Sequence, residues 1–143
     1  MPDIRRLDDS ASVAPQITLE DIAAIKAAGF ATIVNNRPDG EEPGQPHGDA
    51  IRAAAEAAGL RYIAIPFAGG PLTPQLLAAM ADAMEHAPVL AFCRSGTRSC
   101  NLWALAGTLR GGDPATMVRQ AAEAGYDLTG LHPSLEQLAA SVR

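Results

Sequence analysis

The sequence predicts an α/β domain, a central and mostly parallel sheet of about four or five strands flanked by helices. Three observations carry that prediction. Alanine makes up about a fifth of the chain and gathers in helix-forming stretches that alternate with short β-branched runs. Glycine or proline closes most of these stretches. Strands linked through helices must lie parallel, and sites in such sheets form at the carboxyl ends of the strands.

Each element has its own signal. Thr18, followed by Glu20 and Asp21, reads as a helix N-cap with acids in the first turn, and that helix runs to Ala28 and stops at Gly29. Phe30 to Asn35 is a strand short and apolar enough to be buried on both faces. Arg37 to about Gly48, dense in Gly and Pro, is a loop. Asp49 opens a second helix that Gly59 closes, and Arg61 to Ile65 is the next strand, ended by Pro66. Thr73-Pro74 is a cap with proline at the first helical position, starting a helix that reaches His86. Pro88 to Phe92 is the last clear strand. Everything after Ser99 reads as helix: one to about Arg110, one from Asp113-Pro114 to Gly125, and a short one over Ser134 to Val142. The Leu7 to Ile17 segment is expected to add an edge strand. No repeat, low-complexity tract or linker divides the chain, so residues 1–143 read as a single domain.

Composition excludes several partners. Sixteen acids against eleven bases give a net charge of -5 and a pI near 5.0. No Lys/Arg-rich run exists, which argues against nucleic acid or an anionic membrane surface. The start has no signal-peptide pattern, and the longest strongly apolar run, Val89 to Phe92, is far too short to span a bilayer. A cytoplasmic location with reduced thiols is the expectation. A chain of this length, 48% hydrophobic, can bury a core without staples, so Cys93 and Cys100 need not be structural. His47, His86 and His132 lack metal-ligand spacing, and no metal site or cofactor is expected.

The chemistry concentrates in one loop. The strand VLAF runs directly into Cys93, Arg94, Ser95, Gly96, Thr97, Arg98 and Ser99, and a helix follows. Backbone N–H groups in such a turn can converge into an anion nest, with the positive end of the helix dipole beneath. Gly96 supplies a position free to take positive φ. Arg98 can present a bidentate fork to an oxyanion. A cysteine at this mouth feels positive potential and becomes an activated nucleophile beside a pocket for a small anion. The competing reading is a buried cysteine in a polar turn. Packing alone does not explain two arginines, hydroxyls and a glycine gathered behind it.

This strand-loop-helix resembles the active sites of protein tyrosine phosphatases and rhodaneses. Over QITLEDIAAIKAAGF, TIVNNRPDGEEPGQP, YIAIP and VLAFCRSGTRSCNLWAL, roughly residues 12–106, the chain resembles the DUF442 family. The resemblance implies a three-layer tyrosine-phosphatase-like fold. It also implies a sulfur transferase, sometimes fused to a metallo-β-lactamase-like persulfide dioxygenase. Such a dioxygenase is expected here, if at all, on a separate chain.

Three features bear on the choice between phosphatase and sulfurtransferase. Tyrosine phosphatases carry C-x5-R, whereas Arg98 gives C-x4-R, a shorter loop of the rhodanese kind suited to a sulfane sulfur or thiosulfate. Dual-specificity phosphatases place a general-acid aspartate shortly after a strand like YIAIP. Gly69 stands at that place, and no acid occurs from Arg61 to Ala81. Lacking a proton donor forfeits roughly 10²–10⁴-fold in expelling an alkoxide, whereas sulfur transfer to a thiol needs none. Asp39, Glu41 or Glu42 could substitute. The all-helical remainder after Ser99, by contrast, matches tyrosine phosphatases. The reading is a phosphatase-like fold carrying a rhodanese-like loop. In it a Cys93 persulfide passes sulfur from a small donor to a thiol acceptor, with Arg98 neutralising the departing anion. The alternatives are a phosphatase acting on a phosphorylated substrate through Cys93, and a non-catalytic module that senses anions or persulfides.

The supporting residues have rival explanations. Asn36, Arg37 and Asp39, with Glu41, are expected at the mouth, or else belong to a solvated loop with Asx-turns. Arg94 reads as a rim residue that attracts anions. Ser95, Thr97 and Ser99 are candidates for bonding the sulfur, with Ser99 also a possible helix N-cap. Cys100 reads as helix core, or as a redox partner of Cys93. Leu102 and Trp103 should be core facing the sheet.

Overall fold

The computed structural model describes residues 2–142. Five strands form one sheet: β1 (Arg5–Arg6), β2 (Ala11–Ala14), β3 (Thr32–Asn35), β4 (Arg61–Ala64) and β5 (Val89–Phe92). Their order is β1-β2-β5-β3-β4, parallel except for the antiparallel β1. Six α-helices complete the fold: α1 (Ile22–Ala27), α2 (Gly48–Ala57), α3 (Pro74–Ala83), α4 (Thr97–Leu109), α5 (Pro114–Glu123) and α6 (His132–Ser141).

Strand residues alternate between two buried faces, as the period of two demands. Val13, Val34, Val89 and Ala91 pack with α3, α4, α5 and α6. Ala14, Ile33, Leu90 and Phe92 pack with α1 and α2. Covering both faces of β2, β3 and β5, whose residues are all buried, satisfies the burial that such inner strands require. Helix α4 is enclosed between the sheet and its neighbours, with Leu102 and Trp103 in the core as expected. Thr73 and Asp113 cap α3 and α5 through their side chains, accepting from the N–H groups of Leu76 and Thr116.

One expectation is corrected. Residues 11–14 are not the edge; they form the second strand, and β1 lies outside them. The edge strand is two arginines long and carries no apolar pattern, so nothing in its composition marks it.

The topology places the site. Helix α4 follows β5 on one face of the sheet, while α2 follows the adjacent β3 on the other. Chains leaving neighbouring parallel strands in opposite directions open a crevice at the carboxyl ends. The loops after Phe92 and after Asn35 meet there. No helix among the described residues is long and apolar enough to cross a membrane.

Leu90 is fully buried in the middle of the sheet, whereas Leu19 is 46% exposed. Leu90→Ala should cost about 2–5 kcal/mol in urea denaturation. Leu19→Ala should stay within about 0.5 kcal/mol of the parent.

Candidate active site

Cys93 follows β5 directly and is completely buried. Its sulfur accepts a hydrogen bond from the backbone N–H of Gly96 at 3.1 Å. Gly96 has φ of 93°, in the left-handed region that favours glycine, and it is the N-cap of α4. A Cβ at this position would collide with the Tyr126 hydroxyl. The 13-residue α4 therefore starts beneath the sulfur, and its dipole favours negative charge there.

Arg98 is held by the opposite loop. Its Nη1 and Nη2 donate to the two carboxylate oxygens of Glu41, both at 2.8 Å, and Nη1 also donates to the carbonyl of Phe67 at 2.8 Å. Of the five guanidinium N–H groups, these bonds leave the Nε–H and one Nη2–H without a protein oxygen to donate to. The end-on fork expected to receive an oxyanion is thus occupied by a protein carboxylate. Arg98 is pushed further above its ordinary value, first by Glu41, with the Cys93 sulfur also contributing.

Glu41 is shared. Arg37 Nε donates to its Oε1 at 2.9 Å, while Arg37 Nη2 donates to Glu42 at 2.9 Å and Nη1 to Gln16 at 3.0 Å. The Glu41 carboxyl falls to about 2, chiefly through Arg98 and then Arg37. Glu42 is lowered as well, by Arg37 first.

Several expected mouth residues turn out to be the frame behind the site. Arg37 is buried and its guanidinium is engaged throughout the loop, so it does not line an open mouth. Asn36 is also buried: its amide donates to the Ile65 carbonyl at 3.0 Å, and its Oδ1 accepts from Ser99 Oγ at 2.8 Å. That bond commits the Ser99 hydroxyl proton to Asn36, and Gly96 rather than Ser99 caps the helix. Asp39 accepts from the N–H of Gly48 at 2.9 Å and stabilises the start of α2. Arg37 and Asp39 border a separate cleft of about 130 Å³ beside Arg52 and Tyr62. Ser95 and Thr97 are exposed and their hydroxyls bond to each other at 3.0 Å. Arg94 is largely exposed and lies 3.8 Å from Glu42.

Cys100 is buried in the helix core, where desolvation first and Cys93 second push its thiol up to about 12. Among the described residues, no group of three His, Cys, Asp or Glu could hold a metal ion. Sequence reasoning missed Gln16, Phe67 and Tyr126. Gln16 and Phe67 enter through an amide and a backbone carbonyl, and Tyr126 through a distant loop. None of them carries a local motif.

Because the Glu41 carboxyl is lowered on folding, its contribution to stability is present above the ordinary range near 4.5 and is lost as pH falls through about 2. Glu41→Gln should cost on the order of 1 kcal/mol at neutral pH, the upper range for partly exposed pairs. Denaturant titrations should show the two proteins converging as the pH approaches 2.

The comparisons with known proteins agree with this fold. The family model described as "Beta-lactamase hydrolase-like protein, phosphatase-like domain" matches residues 3–110. A beta-lactamase hydrolase-like protein of Agrobacterium fabrum is 36% identical over 140 residues, covering 96% of this chain and 32% of its own. The chain thus spans about a third of the length of the curated relatives it matches. A Neisseria meningitidis crystal structure described as a candidate phosphatase has a TM-score of 0.81 at 31% identity, covering 95% of this chain and 98% of that one. TpbA of P. aeruginosa, solved with pTyr, has a TM-score of 0.65 at 15% identity over 98% of this chain and 90% of its own, a likeness of fold alone. With the matched span running through both loops of the site, the chain belongs to the phosphatase-like domain family of beta-lactamase hydrolase-like proteins, DUF442.

Proposed function

We propose that this phosphatase-like domain is a cysteine-dependent transferase that moves a sulfane sulfur through a Cys93 persulfide. The observation that carries this reading is the state of the carboxylates around the loop. Glu41 is ionised between two arginines, Glu42 is bonded to Arg37, and Asp39 is tied to the N–H of Gly48. Each of the three substitutes for a general acid therefore has another task. The segment Arg61 to Ala81 supplies no acid either. Expelling an alkoxide or phenoxide needs a proton; exchange between sulfur atoms does not.

In the first step the Cys93 thiolate attacks the outer sulfur of thiosulfate, the S–S bond breaks, and sulfite leaves with the electron pair. Arg98 balances the anion through its Nε–H and remaining Nη2–H, and the Gly96 N–H steadies the cysteine sulfur. An acceptor thiolate then attacks the outer sulfur of the Cys93 persulfide, forming a new persulfide and restoring the thiolate. A low-molecular-weight persulfide can replace thiosulfate as donor by the same exchange. Small sulfur donors and thiols are the partners this chemistry needs, and a persulfide-consuming oxygenase would take the product.

A second reading is phosphoryl transfer at the same cysteine, with a phosphorylated substrate. The family description and the neighbours named as phosphatases favour it. The two readings make opposite predictions in one experiment. Thiosulfate should add the mass of one sulfur to Cys93, and cyanide or glutathione should remove it with turnover. An aryl phosphate should give little release. Brisk aryl phosphate hydrolysis with no sulfur adduct would overturn sulfur transfer in favour of the phosphatase.

Cys93→Ser should abolish turnover, and retained turnover would sink both enzymatic readings. Arg98→Lys should lower kcat/KM by about 10²-fold, the scale of losing one charge-stabilising donor. Steady-state assays with thiosulfate and glutathione check both variants.

A further inference from the structure

The peptide unit between Ser95 and Gly96 has a bond at each end. Its N–H donates to Cys93 Sγ at 3.1 Å, and its C=O accepts from the Tyr126 hydroxyl, also at 3.1 Å. The N–H and C=O of a trans peptide point in opposite directions from one rigid plane. A partner on each side therefore sets the rotation of that plane. Such a constraint matters here because Gly96, at φ of 93°, has no Cβ to hold its backbone in one basin. Left unpinned, the plane could turn its N–H away from the sulfur and its carbonyl dipole towards it.

Tyr126 is itself fixed. It lies just past the end of α5, 31 residues from Ser95, and is 8% exposed. Its hydroxyl lies against Gly96 Cα, in the space a Cβ would need. The Arg5 guanidinium sits 5.5 Å from the ring centroid and donates to the Ala124 carbonyl at 3.2 Å. Edge strand β1 and the α5 end thus grip the ring from behind. Burial pushes the phenol up, which keeps its proton available for donation.

We propose that Tyr126 is a positioning residue for the Cys93 nucleophile, holding the Ser95–Gly96 peptide so that its N–H faces the sulfur. A hydrogen bond to the charged sulfur favours the thiolate over the thiol. Tyr126 thereby acts on the reacting atom through one peptide plane without touching substrate. This inference rests on Cys93 being the nucleophile.

The test is Tyr126→Phe, which keeps the ring and removes the hydroxyl. Thiolate formation is followed by ultraviolet absorbance against pH, as the difference between each protein and its Cys93→Ser counterpart. The subtraction removes the tyrosines, and Cys100 titrates too high to intrude. The midpoint should rise by about one pH unit in Tyr126→Phe, the scale of one hydrogen bond to a charged acceptor. Sulfur transfer at neutral pH should fall through kcat more than KM. Thermal melting confirms that the variant is folded. A folded Tyr126→Phe whose midpoint and kcat match the parent would overturn the proposal, whatever its melting temperature. If Tyr126→Phe does not fold, Arg5→Gln replaces it, loosening the ring from behind, and an unmoved midpoint there would equally overturn it. Failure of the underlying reading shows separately, as full turnover in Cys93→Ser.

Discussion

Glu41 accepts hydrogen bonds from two arginines that reach it from different directions, Arg37 from its own loop and Arg98 from the start of α4. That shared carboxylate joins the loop after β3 to the loop after β5, across the crevice the topology opens. Without it, two guanidinium groups would face one another with one less anion between them. With it, Arg37, Arg94 and Arg98 oppose Glu41 and Glu42, and the cluster keeps one net positive charge beside the cysteine. A small anion is attracted by that remainder rather than by the chain as a whole, whose net charge is -5. The Debye length confines the attraction to the neighbourhood of the loop.

The same carboxylate narrows the chemistry. A glutamate held ionised between two arginines is a poor proton donor, and its presence fixes which edge of Arg98 remains for an incoming group. The family and fold are those of phosphatase-like proteins. Yet the loop places Arg98 five residues after Cys93, and the nearby carboxylates of Glu41 and Glu42 are engaged by arginines. A scaffold of this kind can pass from one reaction to another by changing loops while the sheet stays the same.

Much of this was legible in the residues. Continuous apolar runs located β3 and β5 to within two residues, because strands buried on both faces need no alternation, and Pro66 closed the run that became the edge strand β4. Thr73-Pro74 and Asp113-Pro114 marked helix starts because a cap and a fixed φ act locally. Cys93, Gly96 and Arg98 could be singled out because one turn contains them. What escaped is long-range. Arg37 looked like a mouth residue because its charge is visible in sequence, whereas its burial and its three partners, Gln16, Glu41 and Glu42, are not. Ser99 looked like a cap because its bond to Asn36 spans 63 residues. Tyr126 gave no sign at all, since its task depends on how α5 ends over the cysteine loop. A two-residue arginine strand at the sheet edge has no pattern to find.

Tyr126 also bears on where the working unit stops. The family model matches residues 3–110, a span that contains both loops and the cluster of Arg37, Glu41, Glu42, Arg94 and Arg98. The residue that braces the Ser95–Gly96 peptide lies outside it, after α5, and is itself steadied by Arg5 near the opposite end of the chain. Helices α5 and α6 are therefore more than packing material over α4. A fragment cut at the edge of the matched span would carry both loops with the Ser95–Gly96 peptide unbraced, so the edge of the family model and the edge of the working unit are different places in this protein.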